Sequence, residues 1–365
     1  MKKKIKLFDP IIGSEEETAI LKTLHSNFWA SGQGIGQVLK FEKNFTRFVN
    51  SNDSVAVNSG SSALNLALSL LDLKGKEVIL PSLTFVSTAH AIIQNGGKPV
   101  FVDVDTRTNN LDPIEIESHI TTNTALILPV HFGGLPCDLN SILKICKKNN
   151  LPLIEDAAHA AGSEYKGKKI GTHGQFVCFS FHPVKNLAMP TGGLISINHK
   201  NHKNFKKILK ARRWCGIIDR DDTNYDVKDV GWNYYMNEFS ATIGNIQLKK
   251  LNKLNKIRKK TAKIYSQEIE LESMMPFDDH CSYHFFWIRV KSRQKFRKLM
   301  NGFGIETGTH YKPVHSMTLF NQKNQLPNTE LIGKEIVTIP THPGLSQDDI
   351  DFVIKKINFI NSSNI

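Results

Sequence analysis

The chain has 365 residues, 40% of them hydrophobic, with a formal net charge of +13 and a pI of about 9.4; this is enough for a sizeable core in about two domains. The basic balance raises nucleic acid or an anionic membrane surface as partners. Yet the lysines are spread along the whole length, the short clusters at 2–4, 203–210 and 249–260 bring no recognition motif, and the last lies on a helical pattern, where a charge run is a solvated face. Five scattered cysteines (Cys137, Cys146, Cys178, Cys215, Cys281) show no C-x-x-C and no zinc spacing, and no apolar stretch is long enough for a bilayer or a leader's apolar core. A soluble, cytoplasmic protein without metal, disulfide framework or membrane insertion is expected.

In chain order, residues 15–24 read as a helix, followed by the Gly-rich loop Ser31-Gly32-Gln33-Gly34-Ile35-Gly36 and an amphipathic helix with Val38, Phe41, Phe45 and Phe48 on one face. The loop has a G-x-G spacing but no preceding strand, so it is not a dinucleotide motif; it stays open as a mobile arm over a ligand. Short apolar runs then recur at 55–57, 78–80, 100–102, 125–130, 151–154, 176–179 and 194–197, with helical patterns at 62–71, 86–94, 113–119 and 140–148 between most of them. Strands without polar alternation, spaced by helices, predict an α/β fold with a mostly parallel seven-stranded sheet covered on both faces. After residue 200 the pattern turns to long Lys-rich helices, notably 237–267. A smaller α+β region follows, with a strand at 285–290 and helices at 294–303 and 347–360. The expected division is a large domain over 1–245 and a small C-terminal domain over 246–365.

Four strand ends carry chemistry. Asn58-Ser59-Gly60-Ser61-Ser62-Ala63-Leu64 follows the first strand and opens a helix; its free N–H groups make a phosphate cradle. Alone it is equally an ordinary N-cap with a glycine turn. Phe85, at the end of Pro81-Ser82-Leu83-Thr84-Phe85, either stacks on a planar ring or is core. Glu155-Asp156-Ala157-Ala158-His159 ends a strand in two carboxylates. Asp156 there is either the partner of a buried cation or a helix N-cap. Finally, Phe179-Ser180-Phe181-His182-Pro183-Val184-Lys185-Asn186, closed by Gly192-Gly193, sets a lysine between two buried strands. A phosphate cradle, an aromatic, an acid with a histidine one turn on, and a lysine are the set that pyridoxal 5′-phosphate requires: phosphate at a helix N-terminus, a carboxylate on the ring nitrogen, a lysine for the Schiff base.

With these motifs on one chain, the sequence resembles the DegT/DnrJ/EryC1/StrS sugar aminotransferases, PLP-dependent enzymes of fold type I. The resemblance runs from Phe8-Asp9-Pro10 to the C-terminal helix. It rests on Ser59-Gly60-Ser61-Ser62-Ala63-Leu64, Pro81-Ser82-Leu83-Thr84-Phe85-Val86, Pro99-Val100-Phe101-Val102-Asp103-Val104, Pro129-Val130-His131, Glu155-Asp156-Ala157-Ala158-His159, Ser180-Phe181-His182-Pro183-Val184-Lys185-Asn186, Gly231-Trp232-Asn233-Tyr234 and His310-Tyr311-Lys312-Pro313-Val314-His315.

The resemblance implies that Lys185 is the Schiff-base lysine and proton shuttle and that Asp156 is the partner of the ring nitrogen. It implies further that Phe85 stacks on the ring, that His159 contacts its other side or edge, and that Gly60, Ser61 and Ser180 hold the phosphate. Asn233 matches a position that reaches the neighbouring subunit's cofactor, which implies a homodimer with shared sites. His310, Tyr311 and His315 fall in the segment that faces the sugar. The implied reaction moves an amino group from glutamate to a keto group of a nucleotide-linked 4-keto-6-deoxy sugar. Sugar 3-dehydratases of the same fold carry His at the position of Lys185, and a regulator that kept the fold would not need Lys185 and Asp156 together. The chain departs from the family pattern at Thr191, where an acid often precedes the Gly-Gly pair, at Tyr235, usually Arg, and at Ser240-Ala241-Thr242, usually Gln-Ala-Ala.

Overall fold

The structure, a computed structural model, describes residues 4–320 and 325–363; Lys2 and Lys3 of the first lysine cluster lie outside them. The first nine strands are β1 (Asp53–Val57), β2 (Glu77–Pro81), β3 (Lys98–Val102), β4 (Thr124–Ile127), β5 (Ile154–Asp156), the hairpin pair β6 (Glu164–Tyr165) and β7 (Lys168–Lys169), β8 (Phe176–Ser180) and β9 (Gly193–Ile197). The pairings β3-β2-β4 and β5-β8-β9-β1 are joined by the parallel bridges Ile127–Leu153 and Val130–Asp156. The result is one sheet of seven strands. All neighbours run parallel except β9, which is antiparallel to both β8 and β1.

Side chains alternate across this sheet with period two. Ala56, Ile79, Val177 and Phe179 face the core built with Val38, Phe41 and Phe45 of α2 (Gln37–Val49), beside α1 (Ser14–His25). Val55, Val57, Val78, Leu80, Phe176 and Cys178 face the opposite core, covered by α3 (Gly60–Leu68) and α4 (Ser87–Gln94). Burial on both faces is why these strands read as continuous apolar runs. Helices α5 (Pro113–Ser118) and α6 (Leu139–Lys148) complete the β-α alternation.

The fifth strand differs from the sequence reading. Its pairing with β8 begins only at Ile154–Phe176, and Pro152, which has no N–H to donate, contributes its carbonyl alone, accepting Ile127 N–H at 3.3 Å. Glu155 and Asp156 therefore lie inside β5 and point to opposite faces. The Gly-rich loop also differs, being tied down and not a free arm. Arg213 Nη2 donates to Gln33 O at 2.9 Å, and Glu238 accepts the N–H groups of Gln37 and Val38 at 2.6 and 3.4 Å.

After α7 (His202–Arg212) comes an exposed hairpin, β10 (Ile217–Asp221) with β11 (Asn224–Val227), which the sequence did not announce. Helix α8 (Glu238–Glu268) is capped by Asn237, whose side chain accepts from Ser240 N at 2.8 Å. Its first half packs on α1 and α2, while Ala262 and Tyr265 enter the small-domain core. The boundary expected at 245/246 thus falls inside this helix. The small domain pairs β12 (Phe286–Arg289) antiparallel with β13 (Ile336–Ile339) under α9 (Arg293–Gly302), α10 (Pro327–Glu335) and α11 (Gln347–Ser362). Ile5 bridges Ile305 and joins the same core, so the chain's first described residues belong with its last.

Candidate active site

Lys185 lies in the connection between β8 and β9. Phe181 N–H donates to Gly192 O and Met189 N–H to Phe181 O, which folds that connection back on itself. Asn186 Nδ2 donates to Asn255 Oδ1 at 3.0 Å and to Ser282 O at 2.8 Å, pinning the neighbour of Lys185 to α8 and to the segment before β12. Lys185 is thereby held at the wall of a cavity of about 330 Å³. Burial pushes its pKa down to about 8, against the opposing pull of Asp156.

Asp156 lies across that cavity. Burial raises its carboxyl, opposed by the Ala158 N–H, the Thr88 hydroxyl and the charge of Lys185. Oδ1 accepts Ala158 N–H at 3.0 Å and Oδ2 accepts Thr88 Oγ1–H at 2.8 Å. Each oxygen keeps a lone pair for a further donor. On the other face of β5, Glu155 Oε2 meets His131 Nε2 at 2.8 Å, and its Oε1 accepts the Gly174 N–H. Cys137 N–H donates to His131 Nδ1 at 3.1 Å, which places the imidazole proton on Nε2, toward Glu155. The two adjacent acids thus serve different ends: Glu155 locks the sheet, and Asp156 faces the cavity.

The phosphate cradle is the start of α3. Ser59 caps the helix, its Oγ accepting Ser62 N–H at 3.1 Å, and the first N–H groups of the helix point outward at its positive end. A Cβ on Gly60 would sit 2.7 Å from Ser180 Cβ, and one on Gly193 would sit 2.2 Å from Ser59 O. Only glycines let the helix start, Ser180 and β9 converge this closely. The cradle, the spare lone pairs of Asp156 and the lysine line one cavity. These residues fit pyridoxal phosphate: anion at the helix start, ring cation at Asp156, aldehyde carbon at Lys185.

Histidines close the remaining wall. Gly133 N–H donates to His159 Nδ1 at 3.3 Å, so the His159 proton sits on Nε2, 3.0 Å from Tyr311 Oη. Burial and the nearby Lys185 hold His159 and His284 well below the usual imidazole range and His310 at about 4. Burial, with the charge of Asp156 adding to it, raises the Tyr311 phenol. All three imidazoles are neutral, so the cavity offers donors and acceptors without stacking cations beside Lys185.

Of the residues singled out by sequence, Gly60, Ser61, Phe85, Asp156, His159, Ser180, Lys185, His310 and Tyr311 line this cavity. Phe85 is 55% exposed and tilts toward Tyr311, with centroids 6.0 Å apart. Two stand elsewhere. Asn233 is exposed outside its own chain's cavity. His315 is buried behind it, 2.6 Å from Ser82 Oγ and 3.6 Å from Glu330. Thr191 lines the cavity and donates its hydroxyl to Asn58 O. Sequence reasoning missed Thr88, the second residue of α4, and His284; neither carries a local signal.

A seven-stranded sheet of this order, with a lysine, an acid and a helix-start cradle at its strand ends, defines a PLP-dependent transferase of fold type I. The chain belongs to the DegT/DnrJ/EryC1/StrS aminotransferase family, whose sequence profile matches residues 10–358. That family's cofactor is pyridoxal 5′-phosphate. The chain is 34% identical to an uncharacterized protein of Methanocaldococcus jannaschii over 98% of this chain and 97% of the other. It is 33% identical to the spore coat polysaccharide biosynthesis protein SpsC of Bacillus subtilis over 96% and 95%. Among solved structures it resembles Helicobacter pylori PseC, an aminotransferase involved in the biosynthesis of pseudoaminic acid, at 25% identity and a TM-score of 0.93, covering 99% of this chain and 100% of the other. No helix among the described residues is long and apolar enough to cross a membrane.

Proposed function

We propose that this protein transfers an amino group from glutamate to the keto group of a nucleotide-linked 4-keto-6-deoxy sugar, in the cytoplasm, for surface-polysaccharide or related glycan synthesis. The observation that carries the reading is the placement of Lys185, Asp156 and the Gly60–Ser180 cradle around one cavity. The sugar is supported by the polysaccharide and pseudoaminic acid roles of SpsC and PseC. Bound there, pyridoxal phosphate supplies the protonated ring that draws electrons from a substrate C–H bond.

The chain's own residues do the rest. Asp156 keeps the ring nitrogen protonated, with Thr88 and Ala158 fixing its carboxylate. Gly60, Ser61 and Ser180 bind the phosphate, and Phe85 and His159 flank the ring. Lys185 Nζ carries the cofactor and, once free, takes and returns the proton at the substrate carbon, for which it must be neutral. His310 and Tyr311 face the sugar, while His315, tied to Ser82, positions the segment that presents them. Asn233 reaches the cofactor phosphate of a second copy, making the enzyme a homodimer. A lysine at position 185 argues against the dehydratase alternative.

Glutamate and a panel of nucleotide 4-keto and 3-keto sugars, read by product mass, test this. An amino sugar from a 4-keto substrate is expected. No turnover across the panel by a PLP-loaded protein would sink the substrate reading.

A further inference from the structure

His284 stands within hydrogen-bond distance of the Lys185 side chain, and the reading above gives it no task. Its ring is clamped between His159 (centroids 4.6 Å, planes 29° apart) and Phe8 (5.3 Å, 16°). Nε2 stands 3.5 Å from Lys185 Nζ. Nδ1 is buried without a hydrogen-bond partner among the described residues. Four groups face this imidazole electrostatically: Lys185 from the β8–β9 connection, His159 after β5, Arg258 on α8, and His310 before the 311–315 segment. Arg258 is itself buried, with Nε and Nη1 without a hydrogen-bond partner among the described residues. No carboxylate is among these four. An imidazolium here would add a cation beside Lys185 and Arg258, so His284 is neutral.

A neutral imidazole carries one proton. On Nδ1 it would be a buried N–H with no acceptor, an arrangement native structures rarely tolerate. On Nε2 it points at Lys185. An N–H at that place can meet the lone pair of a neutral amine and opposes an ammonium.

We infer that His284 is a positioning residue for Lys185: its Nε2–H holds the lone pair of the lysine amine whenever that amine is not attached to the cofactor. The inference rests on Lys185 as the attachment lysine, which borohydride reduction of the PLP-loaded chain and peptide mapping test separately. It does not depend on which sugar is aminated.

The full chain loaded with pyridoxamine phosphate leaves Lys185 free. Competitive acetylation across pH, read on the Lys185 peptide by mass spectrometry, gives the midpoint at which the amine turns nucleophilic. The His284→Leu change removes the donor, so the midpoint should rise by roughly 0.5–1 in pH, the worth of one hydrogen bond. His284→Gln, which restores an N–H, should return it toward the wild-type value. Phe8→Ala unclamps the ring from outside the cavity and should move the midpoint upward by less, which keeps the test alive if both His284 variants fail to fold. A fall or no change in His284→Leu, equal shifts in the Leu and Gln variants, or no shift in Phe8→Ala would each overturn the inference. A merely structural histidine would lower stability in these variants and leave the midpoint in place.

Discussion

Thr88 Oγ1 donates to Asp156 Oδ2 at 2.8 Å, from the first turn of α4 to the end of β5. Burial pushes the Asp156 carboxyl toward its neutral form, and this hydroxyl is one of the groups holding it ionised. Hydrogen bonds to charged groups are worth about 1.5–3 kcal/mol. Thr88→Val should therefore weaken pyridoxal phosphate binding by about tenfold or more, and Thr88→Ser should keep most of it. Titration of the apoprotein with cofactor, followed by absorbance, checks both.

Gly60→Ala tests the cradle. The added methyl would press on Ser180 Cβ at 2.7 Å, a contact no relaxed structure keeps. Helix propensity alone would favour Ala over Gly by about 1 kcal/mol, so a stabilised protein with normal cofactor affinity would refute the steric argument. The expected outcome is a loss of cofactor affinity of at least about tenfold, or about 1.4 kcal/mol.

Lys185 gives a pH signature. Only the neutral amine attacks an aldehyde, and burial brings its pKa down to about 8. The rate at which the apoprotein captures pyridoxal phosphate should rise with pH up to about 8 and then level off. An ordinary lysine would carry that rise on to about 10.4. Asp156 pulls the Lys185 value upward, so Asp156→Asn should move the midpoint to lower pH. Stopped-flow absorbance across pH separates these outcomes; a midpoint shifting upward in Asp156→Asn would contradict the electrostatic assignment.

How much was legible beforehand follows from what fixes each residue. The seven strands and the Gly60, Asp156 and Lys185 strand ends were readable because burial on both faces writes itself as apolar runs with chemistry at their ends. The start of β5 was misread because apolar Leu151 and Leu153 read as strand, whereas the ladder with β8 begins only at Ile154, two residues beyond Pro152. The Gly-rich loop looked mobile because its ties, Arg213 and Glu238, lie about two hundred residues away in sequence. His284 and Thr88 carried no local signal, since each matters only through a partner on another element. The hairpin of β10 and β11 buries none of its strand residues, so its scattered apolar side chains (Ile217, Ile218, Tyr225, Val227) give no burial pattern to read.

The tie at Arg213 yields the last prediction. Its side chain is fully buried, as is Glu42, and they meet at 2.6 Å. Arg213 Nη1 also donates to Ala56 O at 2.8 Å, and Glu42 Oε1 accepts Ala56 N–H at 2.9 Å, so the pair grips β1 from both sides of one residue. Removing one partner strands the other charge in the core. Arg213→Met should destabilise the protein by about 3–5 kcal/mol, whereas replacing both partners by apolar residues of similar volume should recover most of that loss. The backbone of Arg213 also reaches the cradle, since its carbonyl accepts Tyr234 N–H and Tyr234 O accepts Asn58 N–H. Those two bonds do not involve the side chain. The double variant Glu42→Leu with Arg213→Met should therefore bind pyridoxal phosphate with near-normal affinity at temperatures where it is folded. Denaturant unfolding of the single and double variants, with cofactor titration of each, measures both halves of the claim. A double variant as unstable as the single would mean that the pair grips β1 by shape and hydrogen bonds, and not by mutual neutralisation.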